Sequence, residues 1–338
     1  MQNKGPAATA KGLTTVQVNA KPFGMQDKFG YMLGDIGNDA ILGLVNSFLM
    51  IYYTNVLGIA GGVVGILFLG DQEAREGTEF TVFEMSHFRD NQFGTNAIER
   101  VMFLVPSVDS LYFWQERLEK MGVLHYGIET FRNQEILRFE DFDGMKLGLM
   151  VAKVASIAKG TPHPEIPDEH LIFGMGAVFL RVCYLEASLD MLTTRLGFTQ
   201  EEPIEYFNHT LIPLHIHNLW QHEIYLIEDK DNKRERLGVG GMHHIAFGVD
   251  NEATLAAFAQ YLDEENIHHS GIVNREFFQS LYYREPNSIL YEIATPPIDR
   301  VPYLQTPQAT FDEYELILPS FLEDQRATIE RDLAQQER

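Results

Sequence analysis

Three stretches of this chain repeat one order of elements, and that order restricts the fold more than any other feature. Each opens with an apolar strand, passes into an amphipathic helix and ends in further strands. "NAIERVMFLVPSVDSLYFWQERLEKMGV" (96–123) sets Leu111, Trp114, Leu118 and Met121 at helical spacing. "GMGAVFLRVCYLEASLDMLTTRLGF" (174–198) and "GGMHHIAFGVDNEATLAAFAQYLDEENI" (240–267) follow the same plan. Each helix ends near a Gly or Asn and leads into strand-like runs such as "EILRFEDFDGMKLGLMV" and "QSLYYREPNSILYEIAT". The period of about 70 residues is too long for a solenoid. A βαβββ unit of that size cannot close a core alone. The units are therefore expected to pair edge to edge around cupped sheets, and such concavities hold ligands.

With 45% apolar residues, a chain of 338 has material for two ordinary domains. Its net charge of −22 excludes a general nucleic-acid or anionic-membrane binder, because both partners would be repelled. The charge is uneven: residues 1–70 hold four Lys and three Asp, whereas the rest holds 22 basic and 45 acidic side chains. Cys183 is the only cysteine, so no internal disulfide forms and a reducing, cytoplasmic setting is expected for the repeated part. It reads as a small buried residue rather than a reactive thiol. No cleavable signal peptide is expected, since the first apolar run starts near residue 40 without a small-residue cleavage pattern.

Residues 40–70 include no charge over 31 positions. As one helix they would reach roughly 46 Å, against a hydrocarbon core of about 30 Å. The expected division is a first helix over 36–59, a turn at "AGG" (60–62) and a second helix from Val63, too short to cross; the alternative is a buried hairpin. "KPFGMQDKFGYMLGDIGNDAILGLVNSFLMIYYTNVLGI" resembles the start of the cation-coupled sugar symporters of the glycoside–pentoside–hexuronide group. The resemblance implies that Asp39 matches a cation-binding Asp of the first helix. Transport itself is not expected, because it needs two helical bundles rocking about a central site. Membrane association through 36–70 is expected instead, with Lys21 and Lys28 favouring a cytoplasmic N-terminal flank.

The repeated part is similar to the vicinal oxygen chelate superfamily, and within it to ring-cleaving extradiol-type dioxygenases of the hydroquinone and catechol group. The motifs are "GTNAIERVMFLVPS", "IPDEHLIFGMGAV", "GGMHHIAFGVDN", "NREFFQSLYYREPNSILYEIAT" and "LILPSFLEDQRATIERDL", covering about residues 71–330. One departure is "PPID" after "EIAT", where the family has an Asp-Gly-Pro-Gly run. The resemblance implies an α+β fold of tandem βαβββ modules, three full plus a remnant of the first, forming cupped mixed sheets after a hydrophobic helical segment. The expected organisation is a polar segment (1–35), transporter-like helices (36–70), the first-module remnant (71–95), a second module (96–158), a third (171–232), a fourth carrying the metal (238–298) and a tail (299–338).

Strand alternation lets His244 in "HHIAF" and Glu292 in "LYEIA" point into one cavity, Tyr291 and Ile293 taking the opposite face. An imidazole and a carboxylate suit Fe(II), with Mn(II) as the alternative, and two His plus one carboxylate make a facial triad. A satisfied core histidine and a surface acid are the plain alternative. The resemblance adds His243 as a hydrogen-bonding partner of the bound diol, and Arg275 and Tyr282 beside the substrate oxygens; a turn cation and a packed strand tyrosine compete with those roles. It also implies a third ligand, a His on the opening strand of the first module. The earliest histidine is His87, and only "GTEFTVFEM" (77–85) corresponds to that module. Two ligands and an incomplete cup should hold iron weakly and leave sheet unpaired. His215 and His217, with His222 nearby, can offer a metal pair or plain polar strand positions; His268 and His269 read as exposed loop residues, and His170 as a structural hydrogen-bonding group.

The implied activity is O2-dependent cleavage of a small aromatic diol, impaired by the missing ligand. The competing readings are a non-catalytic binding protein, a glyoxalase-type or thiol-transferring relative, and a truncated symporter fragment fused to the dioxygenase-like part. A homo-oligomer is compatible with all of them.

Overall fold

The computed structural model describes residues 66–68, 79–81, 88–153, 165–216, 222–275, 278–296 and 320–336. All lie in the larger of the chain's two compact units, Leu42–Arg338. Strands β1 (Ile66–Phe68) and β2 (Glu79–Thr81) pair antiparallel. The first βαβββ unit that follows comprises β3 (Ala97–Val105), α1 (Val108–Lys120), β4 (His125–Phe131), β5 (Gln134–Glu140) and β6 (Lys146–Val151). Next come β7 (Gly174–Val182), α2 (Leu185–Asp190), β8 (Thr199–Gln200), β9 (Ile204–Tyr206), β10 (His209–His215) and β11 (Glu223–Glu228). The last unit has β12 (Ile245–Gly248), α3 (Glu252–Glu264), β13 (Val273–Asn274), β14 (Gln279–Arg284) and β15 (Leu290–Ala294); α4 (Arg326–Gln336) lies in the tail.

The helices begin and end where their sequences provide caps. Ser107 accepts a hydrogen bond from the Ser110 amide at 3.2 Å before α1, and Asn251 accepts one from Thr254 at 3.0 Å before α3. Asn266 follows α3 at φ 57°, the left-handed turn that Asn tolerates. Leu111, Trp114 and Leu118 are fully buried against the sheet, as their spacing predicts. The middle helix is shorter: after Asp190 the chain widens into a π-helical turn over Met191–Arg195.

In every unit the opening strand lies parallel to the last: β3 to β6, β7 to β11, β12 to β15. Antiparallel pairing of β3 with β7 then joins the first two units into one nine-stranded sheet, ordered β4-β5-β6-β3-β7-β11-β10-β8, with β9 also on β10. The last unit forms a separate four-stranded sheet, β12-β15-β14-β13. The expected pairing of units around cupped sheets is thus seen for two of the three.

Two links position the smaller sheet. The stretch before it runs beside the stretch before β3, through bridges Asp90–Val239, Gln92–Arg236 and Thr95–Arg234. There Gly240 has φ 81°, and a Cβ on it would sit 2.0 Å from the Asp143 carbonyl, so only glycine fits. At the other end Asn287 accepts from the Tyr184 amide (2.8 Å) and donates to the Tyr184 carbonyl (2.9 Å) and the Ser188 hydroxyl (2.8 Å).

The expected first hydrophobic helix (36–59) and Asp39 lie outside the described residues. The expected second helix is corrected at Ile66–Phe68, which are strand: an apolar triplet with β-branched Ile66 and aromatic Phe68 at its ends satisfies its backbone by pairing with Glu79–Thr81. Phe80 of β2 packs edge-on against Phe103 at 5.3 Å, and so ties this pair to the main core. No helix among the described residues is long and apolar enough to cross a membrane.

Candidate functional site

The smaller sheet brings together the residues that the sequence singles out. Ala246 of β12 stands opposite Glu292 of β15, and Tyr282 of β14 stands opposite Glu292 from the other side. His244 lies one residue before β12, rather than on the strand as expected, and keeps the strand's alternation. Its Nε2 is 3.0 Å from Glu292 Oε2. Tyr291 and Ile293 are fully buried on the opposite, helix-covered face. The plain alternative for Glu292 is therefore corrected: it is no surface acid, being only 5% exposed.

The surroundings extend outward from that pair. His243 Nδ1 lies 2.9 Å from His244 Nδ1, and the Tyr282 ring meets the His244 ring edge-on at 5.5 Å. The Arg275 guanidinium sits over the Tyr282 ring at 5.4 Å. The concave face is open here: Ala246 and Gly248 are exposed, and a Cβ on Gly248 would meet nothing within 4 Å.

Electrostatics divides these groups into acceptors and donors. Burial would raise the Glu292 carboxyl, but the polar groups of His244, Tyr282 and Ser280 outweigh it and hold the pKa below the ordinary value, so the carboxylate stays charged. Burial lowers His243, helped by His244 and Arg284, which favours a neutral imidazole able to take a proton. Burial and the Glu292 charge push the Tyr282 phenol well up, so it remains a donor. The Tyr282 and Ser280 hydroxyls lie close enough to favour the charged carboxylate, but neither makes a hydrogen bond of good geometry to Glu292 Oε1, which is buried. An unsatisfied carboxylate oxygen beside an imidazole on an open concave face fits a divalent cation that prefers oxygen and nitrogen donors. Among the described residues no three His, Cys, Asp or Glu side chains gather into such a group.

The other histidines lie elsewhere. His170 hydrogen-bonds Ser110 Oγ (3.2 Å) and stacks on Phe113 (4.5 Å), a structural part. His215 approaches Glu201 at 3.3 Å on the larger sheet, while His217 and His87 lie outside the described residues. His269 corrects an expectation: it is a half-buried residue that bridges Tyr283 through its backbone and reaches Asp263 at 3.1 Å, because the chain after α3 folds back onto β14. Ser280, buried two residues before Tyr282 on the same strand face, was not singled out from the sequence, although strand alternation points to it.

Comparison with known proteins agrees with this architecture. No family model matches the chain. It is 38% identical over 271 residues to a Bacillus subtilis (strain 168) protein provisionally named ring-cleaving dioxygenase MhqA, covering 79% of this chain and 84% of that one. The fold matches a Bacillus subtilis crystal structure provisionally titled a dioxygenase, with TM-score 0.71, 22% identity, and 84% and 91% of the two chains covered. Glyoxalase I from Zea mays shares the fold more distantly, at TM-score 0.52, 15% identity, and 78% and 92% coverage. Units of βαβββ with concave sheets, together with this level of identity, place the chain in the family of ring-cleaving dioxygenases built on the glyoxalase fold.

Proposed function

We propose that the concave face of the smaller sheet is a non-haem metal site for O2-dependent ring cleavage of small aromatic diols of the hydroquinone or catechol kind. The observation that carries this reading is the His244–Glu292 pair, 3.0 Å apart, with a buried unsatisfied carboxylate oxygen. His244 Nε2 and Glu292 would hold Fe(II), or Mn(II) in its place. A bound ion of that kind supplies a coordination site for the diol and O2 and the redox capacity for inserting both oxygen atoms.

The chain's own groups supply binding and proton handling. Neutral His243 accepts a proton from the diol hydroxyl as the substrate enters. The Tyr282 phenol donates a hydrogen bond to a substrate oxygen, and Arg275 beside it balances the negative charge of a deprotonated diol. With only two ligands from a single chain the ion is held weakly, so activity is impaired.

The test is anaerobic Fe(II) loading of the full chain, followed by oxygen uptake on hydroquinones and catechols. Iron retention well below one per chain, with slow diol-dependent uptake abolished in Glu292→Gln, is the expected result. Near-stoichiometric iron with rapid turnover overturns the impairment, and ligand binding unchanged in His244→Ala with no metal bound favours a non-catalytic binding protein. A second reading is membrane association through residues 36–70 ahead of the Ile66–Phe68 strand, for which the uncharged run that begins at residue 40 speaks. Release of the expressed chain by carbonate without detergent rejects it.

A further inference from the structure

Within the chain, opening strands pair with one another. β3 and β7 run antiparallel at the junction of the first two units, and all nine residues of β3 are buried there. β12 is the opening strand of the last unit, and among the described residues it pairs with β15 alone. Its concave-face residues Ala246 and Gly248 are exposed. The strand "IAFG" carries none of the charges, prolines or bulges that usually keep an edge from pairing.

We infer that two copies of this chain pair antiparallel through β12 about a two-fold axis, and that the two His244–Glu292 pairs together complete one divalent-metal site. The occupant is a second copy because the junction is already self-complementary within the chain. At β3–β7, Val101 stands opposite Val178 and Arg100 opposite Phe179. Counted back from the helix N-caps Ser107, Tyr184 and Asn251, Val101 and Val178 both correspond to Ile245, while Arg100 corresponds to His244 and Phe179 to Ala246. Carried over to β12, that register sets Ile245 opposite its own copy and His244 opposite Ala246 of the second copy. The two His244 residues then share one concave face as diagonal neighbours, about 7–8 Å apart between Cα atoms. Closed, isologous pairing of this kind is the commonest oligomer symmetry. This proposal rests on the reading of His244 and Glu292 as ligands.

The experiment titrates Mn(II) into the full chain and follows mass by sedimentation, metal by elemental analysis, and amide hydrogen exchange across β12. The expected result is a shift from 38.6 kDa to about twice that mass. One Mn(II) per two chains and slowed exchange at Ile245–Gly248 accompany it, and all three changes are lost in His244→Ala. One Mn(II) per single chain, removed by His244→Ala, overturns the pairing and leaves the site reading standing. A dimer whose β12 amides exchange unchanged also overturns it. Absence of Mn(II) binding overturns both.

Discussion

The nine-stranded and four-stranded sheets are made of one repeated unit, yet their concave faces are opposite in character. In the larger sheet the concavity is filled: Met102, Leu104, Met150, Phe179, Tyr206, Leu211 and Tyr225 form one buried cluster. Arg132 and Arg138 reach the phenols of Tyr225 (3.2 Å) and Tyr206 (3.1 Å). Buried Arg100 donates to the carbonyls of Phe139 and Leu147. The smaller sheet leaves its concave face open at Ala246 and Gly248. Seven residues before each helix cap stand Arg100, Ala177 and His244. Opposite the residue five before each cap stand Gly148, Tyr225 and Glu292. One scaffold therefore makes either a packed core or an open polar face, depending on two side chains and on what faces them.

Substitutions can break this contrast, and the largest effect belongs to the filled face. Phe179→Ala, at a 1% exposed position between Tyr206 and Tyr225, should cost about 3–5 kcal/mol in urea denaturation. Asn287→Ala removes three hydrogen bonds between the two regions and should cost about 1–3 kcal/mol. It should also raise hydrogen exchange in β14 and β15 before β3 and β7; equal exchange throughout would mean that the regions are held together elsewhere.

A glycine pair tests the contrast directly. In the filled concavity a Cβ at Gly148 meets the flexible end of buried Met102, its Sδ at 2.5 Å, and the Leu137 carbonyl at 3.1 Å, so the methionine must shift and Gly148→Ala should cost about 1 kcal/mol. Gly248→Ala enters open space and should stay within about 0.5 kcal/mol. Equal costs for the two would show that the smaller sheet's concave face is covered in solution.

The smallest effect is a pH dependence at the junction. Burial pushes the Glu285 carboxyl above 4.5, outweighing hydrogen bonds from Ser188, Ile289 and Asn287. A carboxyl raised in the folded state binds its proton more tightly there than in the unfolded chain. Its contribution to stability is therefore present in acid and is lost as pH rises from about 4.5 through the raised value. Glu285→Gln should remove that decline, read as a flatter dependence of the denaturation midpoint on pH.

Periodicity alone placed Leu111, Trp114 and Leu118 on the buried face of α1, because a helix of that spacing has one apolar stripe to bury. It also put Tyr291 and Ile293 opposite Glu292, because strand side chains alternate. Those are local consequences of the chain. Which opening strand meets which is not local: nothing in "AIERVMFLV" and "GMGAVFLRV" says that β3 and β7 join while "IAFG", among the described residues, stands at the edge of another sheet. Likewise, the residue types of His244 and Glu292 suggested a metal, but only the parallel pairing of β12 with β15 set their nitrogen and oxygen 3.0 Å apart. The open face around them was decided in the same way, by which strands pair across the fold and which residues are left facing solvent.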